Sequence, residues 1–532
     1  MSEEYIKSRD LLKGAALVSG VALLGKVLSA LYRVPYQNIT GDIGYYVYQQ
    51  VYPFYGAAMM ISMYGFPVIL SKLVAEAREK KGIHYAQETA AAAFIMLAVL
   101  SFFVSGCLYF LAGPIAGAMG DIQLTGPLQI TALAFVVVPY LSGGRGYFQG
   151  VDDLKPTAYS HLLEQFIRVA AILLLAALAV SLEKGPYGAG QGAALGSLLG
   201  AFAGAALLIF TLKKKQIPFR KIFNKHILSK VLQHRLLLQQ GLLVCAGAMV
   251  FILYQMADAF TVVRELQQSG LPAATAKLEK GIFDRAMPLL QFGSVIASSL
   301  AMAIVPILTR EKTSGNIEAY KNYGTSILRV SLLIGGAAAV GLAAVAEPAN
   351  HMLFENNEGT EVLKIHAAAL LFSGVTMTSA AVLQSHDYFW KPALHLAAGL
   401  VLKITANLLL IPVWGTMGAA GATVAGLLLT AVLNVSYLWK KSLVSSIKKS
   451  WYGRSGAALL IMLAAVSGII TIFSAVLPEG RLWESLLALT ASGAGVLIFA
   501  GMSRALSLFT ETELAFIPGA QKLERFFSRK ER

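Results

Sequence analysis

The stretch Gly20-Val-Ala-Leu-Leu-Gly-Lys-Val-Leu-Ser-Ala-Leu-Tyr-Arg-Val-Pro35 is apolar enough to lie in a lipid bilayer, yet it carries two cations, Lys26 and Arg33. They are seven residues apart, about two turns of an α-helix, so both project from one helix face. A cation at the centre of a membrane span costs about 2.5–3.5 kcal/mol on insertion scales, and it usually faces a bundle interior or a water-filled cavity. The stretch therefore predicts a membrane-spanning helix that lines a cavity for an anionic ligand.

The composition of the whole chain agrees with a membrane protein. Of its 532 residues, 56% are hydrophobic and 14% are charged, whereas soluble domains have about 45–50% and about 25%. Because about 20 mostly apolar residues cross the hydrocarbon core, the sequence predicts about fourteen membrane-spanning helices, the first over 12–34 and the last over 483–503. The first run is too long for the apolar core of a signal peptide and no small-residue cleavage site follows it, so we expect a permanent helix.

The positive charge of the chain follows an alternating pattern. The formal net charge is +15, and Lys and Arg concentrate in both terminal tails and in the loops after the predicted second, sixth and twelfth spans. Among the opposite loops, 114–126 and 413–418 contain none, while 182–189 and 477–482 contain one each. Cytoplasmic loops are rich in Lys and Arg, so we expect a multi-pass protein of the cytoplasmic membrane with both termini in the cytoplasm. Topology then accounts for most of the charge, and no nucleic-acid partner is expected.

The second half of the sequence repeats the first. Pairs of similar segments are separated by 227, 239 and 236 residues, at Gly188 and Gly415, Pro67 and Pro306, and Pro156 and Pro392. The last pair opens two helices that each carry a cation about three turns in, Arg168 and Lys403. An even number of helices lies between matching segments, so the halves share one orientation, as in parallel-repeat transporters.

The repeat predicts the domain organisation of an all-α membrane protein. We expect two parallel six-helix lobes, at 1–212 and 237–440, joined by a basic cytoplasmic linker at 213–236. Two further helices and a cytoplasmic tail, at 441–532, have no counterpart in the repeat.

Charged residues inside predicted spans are the best candidates for a binding site, because a membrane protein keeps them there at a cost. The candidates for substrate binding are Lys26, Arg33, Asp258, Glu164, Arg168, Asp284 and Arg285. Glu164 and Arg168 are spaced i,i+4, so the alternative is that they neutralise each other. For Asp258 we consider a pair with a first-helix cation, a coupling-ion site, and a helix-end position at the outer interface.

The other polar features of the spans have simpler interpretations. Asp284 and Arg285 are adjacent and project about 100° apart on a helix, so they need different partners. Pro288 leaves a carbonyl of the preceding turn unpaired and favours a bend there. Arg329 and Lys364 lie near span ends and are expected to extend to the interface. The tyrosines predict either an aromatic belt at the outer interface or a sugar-contacting wall: Tyr45, Tyr46, Tyr48, Tyr52 and Tyr55.

The sequence contains no constellation that indicates an enzyme. Its eight histidines are scattered without metal-ligand spacing, and it has neither a phosphate-binding GxxxxGK[ST] loop nor a nucleophile elbow. We therefore expect no catalytic residues, no metal and no cofactor, with transport driven by the membrane potential or a coupling cation.

Several motifs, in order and spacing, resemble one transporter family over essentially the whole chain. They are Gly25-Lys-Val-Leu-Ser-Ala-Leu-Tyr-Arg-Val-Pro35, Gly41-Asp-Ile-Gly44 with Tyr48-Gln49, Gly65-Phe-Pro67 and Asp284-Arg-Ala-Met-Pro288. The chain resembles the multidrug/oligosaccharidyl-lipid/polysaccharide flippase superfamily. Within it, the closer resemblance is to the polysaccharide-transport branch, which includes the stage V sporulation protein B group and Gram-positive lipid II flippases.

The resemblance implies a two-lobed, inverted-V fold that works by alternating access. It implies that Arg33 and Arg285 hold the diphosphate of a polyprenyl-linked sugar, and that Lys26 stands where lipid II flippases tend to have arginine. The two extra C-terminal helices would form a groove for the lipid tail. The drug-exporting branch relies on acidic cavity residues instead, which the cationic first helix disfavours.

The expected function is a flippase for polyprenyl-diphosphate-linked oligosaccharides, such as a peptidoglycan precursor or a related envelope intermediate. Its expected partners are this lipid-linked sugar and membrane lipids, and the transporter is expected to be monomeric. Two alternatives stay open: a multidrug or organic-cation antiporter of the same superfamily, and a non-transporting membrane scaffold in envelope or spore assembly.

Overall fold

The chain is described by a computed structural model. It describes residues 20–21, 24–25, 27–29, 31–215, 217, 249–476, 478, 480–514 and 516, without the side chains of residues 64, 296, 302, 511 and 512. Lys26 and all but the first few residues of the predicted linker 213–236 lie outside the described residues.

The described chain is helical, and no strand occurs in the residues given above. The helices are α1 (Arg33–Met60), α2 (Phe66–Phe110), α3 (Ala112–Ala118), α4 (Thr125–Ala132), α5 (Ala134–Gly150), α6 (Lys155–Ser181), α7 (Gly185–Lys214), α8 (Val250–Gln268), α9 (Ala273–Asp284), α10 (Ala286–Thr313), α11 (Ile317–Ala344), α12 (Ala346–Phe354), α13 (Thr360–Ser385), α14 (Trp390–Lys440), α15 (Lys449–Ser474), α16 (Arg481–Ala505) and α17 (Glu511–Leu514). A π-helical turn, Ile61–Gly65, joins α1 to α2, and a 3₁₀ turn, Ile122–Leu124, precedes α4.

Ten helical stretches in the described part are long and apolar enough to cross a membrane. The multi-pass, all-α fold class is thereby confirmed, whereas the number of fourteen spans stays a prediction. Three of the helical runs contain glycines with left-handed or otherwise non-helical backbone, Gly41, Gly82 and Gly415. At these positions φ is positive, which glycine adopts without the clash that a Cβ would cause, so each marks a turn inside an apparently continuous helix.

The predicted repeat is visible in the backbone. Left-handed residues recur 229–235 residues apart at five pairs of positions: Gly41 and Gly270, Gly82 and Gly315, Gly120 and Glu355, Asp152 and Asp387, and Gly185 and Gly415. Asp152 accepts a salt bridge from Arg78 at 3.1 Å, and its counterpart Asp387 accepts one from Lys312. Both halves therefore place their turns, and one ion pair beside a turn, at matching points of the sequence.

The structure divides into two compact units, Met1–Asp284 and Arg285–Arg532. The core of the first unit is built mainly from α1, α2, α5, α6 and α7, and helix α9 packs on α1. In the second unit one cluster joins α10, α11 and α13, and another packs α15 and α16 against the region where α11 meets α12. The predicted lobe boundaries at 212 and 237 stay a prediction.

Helices α6 and α7 pack closely because α7 has glycines where the two helices touch. A Cβ built on Gly196 would lie 2.5 Å from the backbone nitrogen of Ile172, and one on Gly200 would lie 2.7 Å from the carbonyl oxygen of Glu164. Small residues at this spacing let helix backbones approach in a bilayer. The close packing fixes α6, which carries Glu164 and Arg168, against its neighbour.

We expect Gly196→Ala to lower the free energy of unfolding by about 1–3 kcal/mol, because the added methyl group must push two helix backbones apart. The matched control is Gly106→Ala in α2, where an added Cβ meets no atom within 4 Å. Thermal unfolding of the purified proteins in detergent checks the difference, and equal melting temperatures for the two variants would contradict this account of the packing.

Candidate functional site

Arg33 begins helix α1 and is fully buried, with 0% of its surface exposed. Its guanidinium carbon lies 4.3 Å from the centre of the Tyr52 ring. In the described part of the chain, Nε, Nη1 and Nη2 of Arg33 have no hydrogen-bond partner. No carboxylate of the described residues forms an ion pair with it.

The contacts of Arg33 stabilise it by less than its unpaired donors cost. Each buried donor without a partner costs about 1–3 kcal/mol, and Arg33 has three such nitrogens. One desolvated cation–π contact contributes about 2 kcal/mol, which is less than three unpaired donors cost. A buried polar group left in this way needs an explanation such as an absent ion or ligand. The arrangement of Arg33 is suited to binding an anion.

The predicted neighbours Asp284 and Arg285 have different partners, as their adjacency indicated. Both carboxylate oxygens of Asp284 accept hydrogen bonds at 2.6 Å from Lys280, one turn earlier in α9. Asp284 also lies within electrostatic range of Arg33 and Asp258. Its charge is therefore already engaged by Lys280, and Arg33 is left without a carboxylate of its own.

The helix is interrupted just before Pro288, and the bend expected there stays a prediction. Helix α9 ends at Asp284 and α10 begins at Ala286. Proline cannot donate to the carbonyl four residues before it, which here belongs to Asp284. The Tyr45 hydroxyl donates to that carbonyl oxygen at 3.4 Å, so a side chain from α1 takes the place of the missing helical hydrogen bond.

Asp258 is buried in α8, with 2% of its surface exposed. Its position inside the first unit excludes the exposed helix-end interpretation. Whether it holds a coupling ion stays a prediction.

Glu164 pairs with Arg145, and the alternative of a Glu164–Arg168 pair is wrong. Arg145 Nη2 donates to Glu164 Oε2 at 2.5 Å and to the Ser160 hydroxyl at 3.1 Å, and both charged side chains are buried. Arg145 Nη1 also donates to the Ser62 carbonyl oxygen at 3.4 Å, in the π-helical turn. A π-helical turn disturbs the regular hydrogen-bond ladder of a helix, so Arg145 satisfies the backbone there while neutralising Glu164.

Arg168 is the second buried arginine of the first unit without a carboxylate partner among the residues described. It donates from Nη2 to the Ser29 hydroxyl and, at 2.6 Å, to the Gln165 side-chain oxygen. A sulfur contact to Met59 from Nη1 is 2.9 Å long, and Nε has no partner in the described chain. Its predicted counterpart in the repeat, Lys403, is also fully buried and donates to the Thr423 hydroxyl at 2.7 Å.

Arg285 belongs to the second unit, where it is 3% exposed. Its Nη1 donates to the Asn356 side-chain oxygen at 2.6 Å, its Nη2 lies 3.8 Å from a carboxylate oxygen of Glu358, and its guanidinium faces the Phe354 ring at 5.2 Å. The loop after α12 thus holds Arg285. Convergence of Arg33 with Arg285 stays a prediction, because they belong to different units, and Lys26 lies outside the described residues.

The tyrosines of α1 do not form an aromatic belt, so that interpretation is wrong. All five are buried, with exposed fractions of 0–7%. They lie in the interior of the first unit, where Tyr52 faces Arg33 and Tyr55 faces Arg168. The alternative of a sugar-contacting wall stays a prediction.

A buried network around Asp121 was missed by sequence reasoning. Asp121 pairs with Lys277 of α9 at 3.0 Å and accepts hydrogen bonds from the hydroxyls of Tyr46 and Tyr187 at 3.1 and 2.5 Å. Arg145 and Lys280 were missed as well. Arg145 could have been identified from the sequence because it is a lone arginine in the fourth predicted span. Lys277 and Lys280 could have been identified because they are lysines in a loop that is expected to be poor in cations.

We expect Glu164→Gln to lower the free energy of unfolding by about 3–5 kcal/mol, because it leaves the Arg145 charge buried without its partner. The double variant Arg145→Met with Glu164→Leu should be more stable than Glu164→Gln, because it removes both charges. Melting temperatures of the purified variants check this order. A double variant that is less stable than Glu164→Gln would show that the pair is not a coupled unit.

Two protein-family models match the chain. One described as polysaccharide biosynthesis protein matches residues 11–312, and one described as lipid II flippase MurJ matches residues 164–490. The uncharacterized membrane protein YabM of Bacillus subtilis is 36% identical over 99% of this chain and 98% of its own length. In the same organism, stage V sporulation protein B is 27% identical over 85% of this chain and 87% of its own, and the lipid II flippase MurJ is 24% identical over 87% and 88%.

Solved structures show the same fold. The inward closed conformation of lipid II flippase MurJ superposes with a TM-score of 0.67 at 13% identity, over 92% of this chain and 99% of that one. An inward-facing multidrug resistance MATE family transporter superposes with a TM-score of 0.65 at 15% identity, over 79% of this chain and 94% of that one. With the helical fold, these matches identify a multi-pass membrane protein. The chain belongs to the multidrug/oligosaccharidyl-lipid/polysaccharide flippase superfamily, in its polysaccharide-transport branch of flippases for lipid-linked oligosaccharides.

Proposed function

We propose that this chain moves a polyprenyl-diphosphate-linked oligosaccharide, such as lipid II or a related envelope precursor, across the cytoplasmic membrane. The observation that carries the proposal is Arg33, a fully buried guanidinium whose three nitrogens lack hydrogen-bond partners in the described chain. A diphosphate supplies the acceptors that these donors lack, and arginine binds phosphate with paired, charge-assisted hydrogen bonds.

The proposed mechanism is alternating access. The diphosphate binds Arg33 while the polyprenyl tail stays in lipid, and a rearrangement of the lobes then opens the headgroup to the other side. Arg285, the second arginine implied by the family resemblance, would join the site. With both termini in the cytoplasm, transport would run from the inner to the outer leaflet, driven by the membrane potential or a coupling cation, and without enzymatic chemistry.

The buried acids of the first unit support this proposal over a drug or cation antiporter. An antiporter of organic cations needs a carboxylate that can bind the substrate. Glu164 is bound to Arg145 and Asp284 to Lys280, whereas Arg33 and Arg168 have no carboxylate partner among the described residues. These two acids are neutralised while the two arginines keep their charge, which favours an anionic headgroup.

We expect Arg33→Gln to abolish appearance of the lipid-linked headgroup on the outer leaflet while the protein stays at normal abundance. Without ligand, the variant should gain stability by about 1–3 kcal/mol, because it removes a buried charge whose donors are unpaired. Transport is measured as accessibility of labelled lipid II, or of another polyprenyl-diphosphate sugar, to an external probe after depletion of the native protein. Stability is measured by thermal unfolding of the purified protein.

The control is Arg310→Gln, whose side chain is 86% exposed in the last turn of α10. It should transport at the wild-type rate with an unchanged melting temperature. Wild-type transport by Arg33→Gln would contradict the proposed function. Full complementation of the depleted cells by every variant that neutralises Arg33 or Arg285, without measurable transport, would favour the scaffold alternative.

A further inference from the structure

Four tyrosines surround the buried arginines of the first unit, and we call them the tyrosine cage: Tyr32, Tyr48, Tyr52 and Tyr55. Tyr48, Tyr52 and Tyr55 follow one another at spacings of four and three in α1, so they lie on one helix face. Tyr32 immediately precedes Arg33. The rings of Tyr32 and Tyr48 meet edge to face with centroids 6.2 Å apart, and those of Tyr48 and Tyr52 are 5.8 Å apart.

The cage holds two guanidinium groups. Arg33 lies 4.3 Å from the centre of Tyr52, and Arg168 lies 5.6 Å from the centres of both Tyr32 and Tyr55. All three distances are within the range of about 6 Å in which a cation is attracted to an aromatic face. Both charges are therefore held by the same group of rings.

The polar atoms left over in the cage can all donate a hydrogen bond. Among the side-chain atoms of the two arginines and the four cage tyrosines, the buried ones without a hydrogen-bond partner in the described chain are Nε, Nη1 and Nη2 of Arg33, Nε of Arg168 and the Tyr55 hydroxyl. The hydroxyls of Tyr32 and Tyr48 bond to each other. A surplus of donors indicates a ligand that is all acceptor, and a diphosphate has enough oxygens for two arginines.

Aromatic rings and carboxylates stabilise a buried arginine differently. A carboxylate occupies the N–H groups at the edge of the guanidinium and cancels its charge. An aromatic ring attracts the cation through its face and leaves the charge in place, so the N–H groups keep their capacity to donate. Arginines held by rings are therefore preorganised for an anion.

We propose that Arg33, Arg168 and the tyrosine cage form a two-arginine site that recognises a diphosphate rather than a monophosphate, one guanidinium for each phosphoryl group. This inference rests on the proposed function and adds Arg168 and the rings as its specificity determinants. The present partners of Arg168, Ser29, Gln165 and Met59, are neutral acceptors. A phosphate oxygen forms a stronger, charge-assisted hydrogen bond and would replace them.

The first test compares headgroups on the purified full-length protein. Polyprenyl diphosphate should bind at least about tenfold more tightly than polyprenyl monophosphate. Inorganic pyrophosphate should compete with it, because the site binds the diphosphate headgroup. Arg168→Gln should remove the preference for diphosphate but keep monophosphate binding through Arg33. Arg168→Lys should keep part of the preference, because lysine retains the charge but lacks the planar guanidinium that forms paired hydrogen bonds. A preference that survives in Arg168→Gln, or pyrophosphate that fails to compete, would overturn the inference.

The second test isolates the rings. Tyr52→Leu removes the aromatic face under Arg33 and should bind diphosphate about tenfold more weakly than Tyr52→Phe, which keeps that face. Equal binding by these two variants, each confirmed as monodisperse and folded, would contradict the role of the ring. These results are distinct from a failure of the proposed function, in which wild-type protein would bind neither lipid and Arg33→Gln would transport normally.

Discussion

The charge of Arg33 inside the first unit is the constraint on which the rest of this account depends. An arginine in that position is costly, and two of the four buried arginines of the described structure have an acidic partner: Arg145 pairs with Glu164, and Arg285 with Asn356 and Glu358. Arg33 has aromatic rings instead. Two acids of the first unit form no ion pair with Arg33, because Lys280 engages Asp284 and Arg145 engages Glu164. What remains is a positive charge with free donors in a protein that belongs to a family of flippases for lipid-linked oligosaccharides.

The scaffold around this charge follows from backbone chemistry. Glycines at positive φ end the helices at matching points of two sequence halves, and glycines along α7 let α6 approach within backbone contact. Proline at 288 interrupts a helix beside Asp284, and the Tyr45 hydroxyl satisfies the carbonyl that is freed. These local features hold in position the helix that carries Arg168 and the helix that carries the tyrosines.

The sequence predicted the fold class, the repeat of turn positions and the burial of the first-helix cation Arg33, because these depend on hydropathy, on turn residues and on the cost of burying charge. It did not predict the partners. Spacing alone placed Arg168 beside Glu164, but Arg145 reaches Glu164 from α5, which only tertiary packing decides. The sequence favoured an interfacial belt for the tyrosines, because aromatic residues near a span end usually lie at the membrane interface. The folded unit instead buries all of them. The count of fourteen spans and the role of Asp258 stay predictions.

The most direct measurement is an experimental structure of the full-length protein in a lipid nanodisc with polyprenyl diphosphate bound. The account predicts phosphate oxygens at about 3 Å from the guanidinium nitrogens of Arg33, with the Tyr52 ring still facing the cation. A bound headgroup away from Arg33, with the Arg33 nitrogens hydrogen-bonded to a carboxylate of the protein, would contradict it.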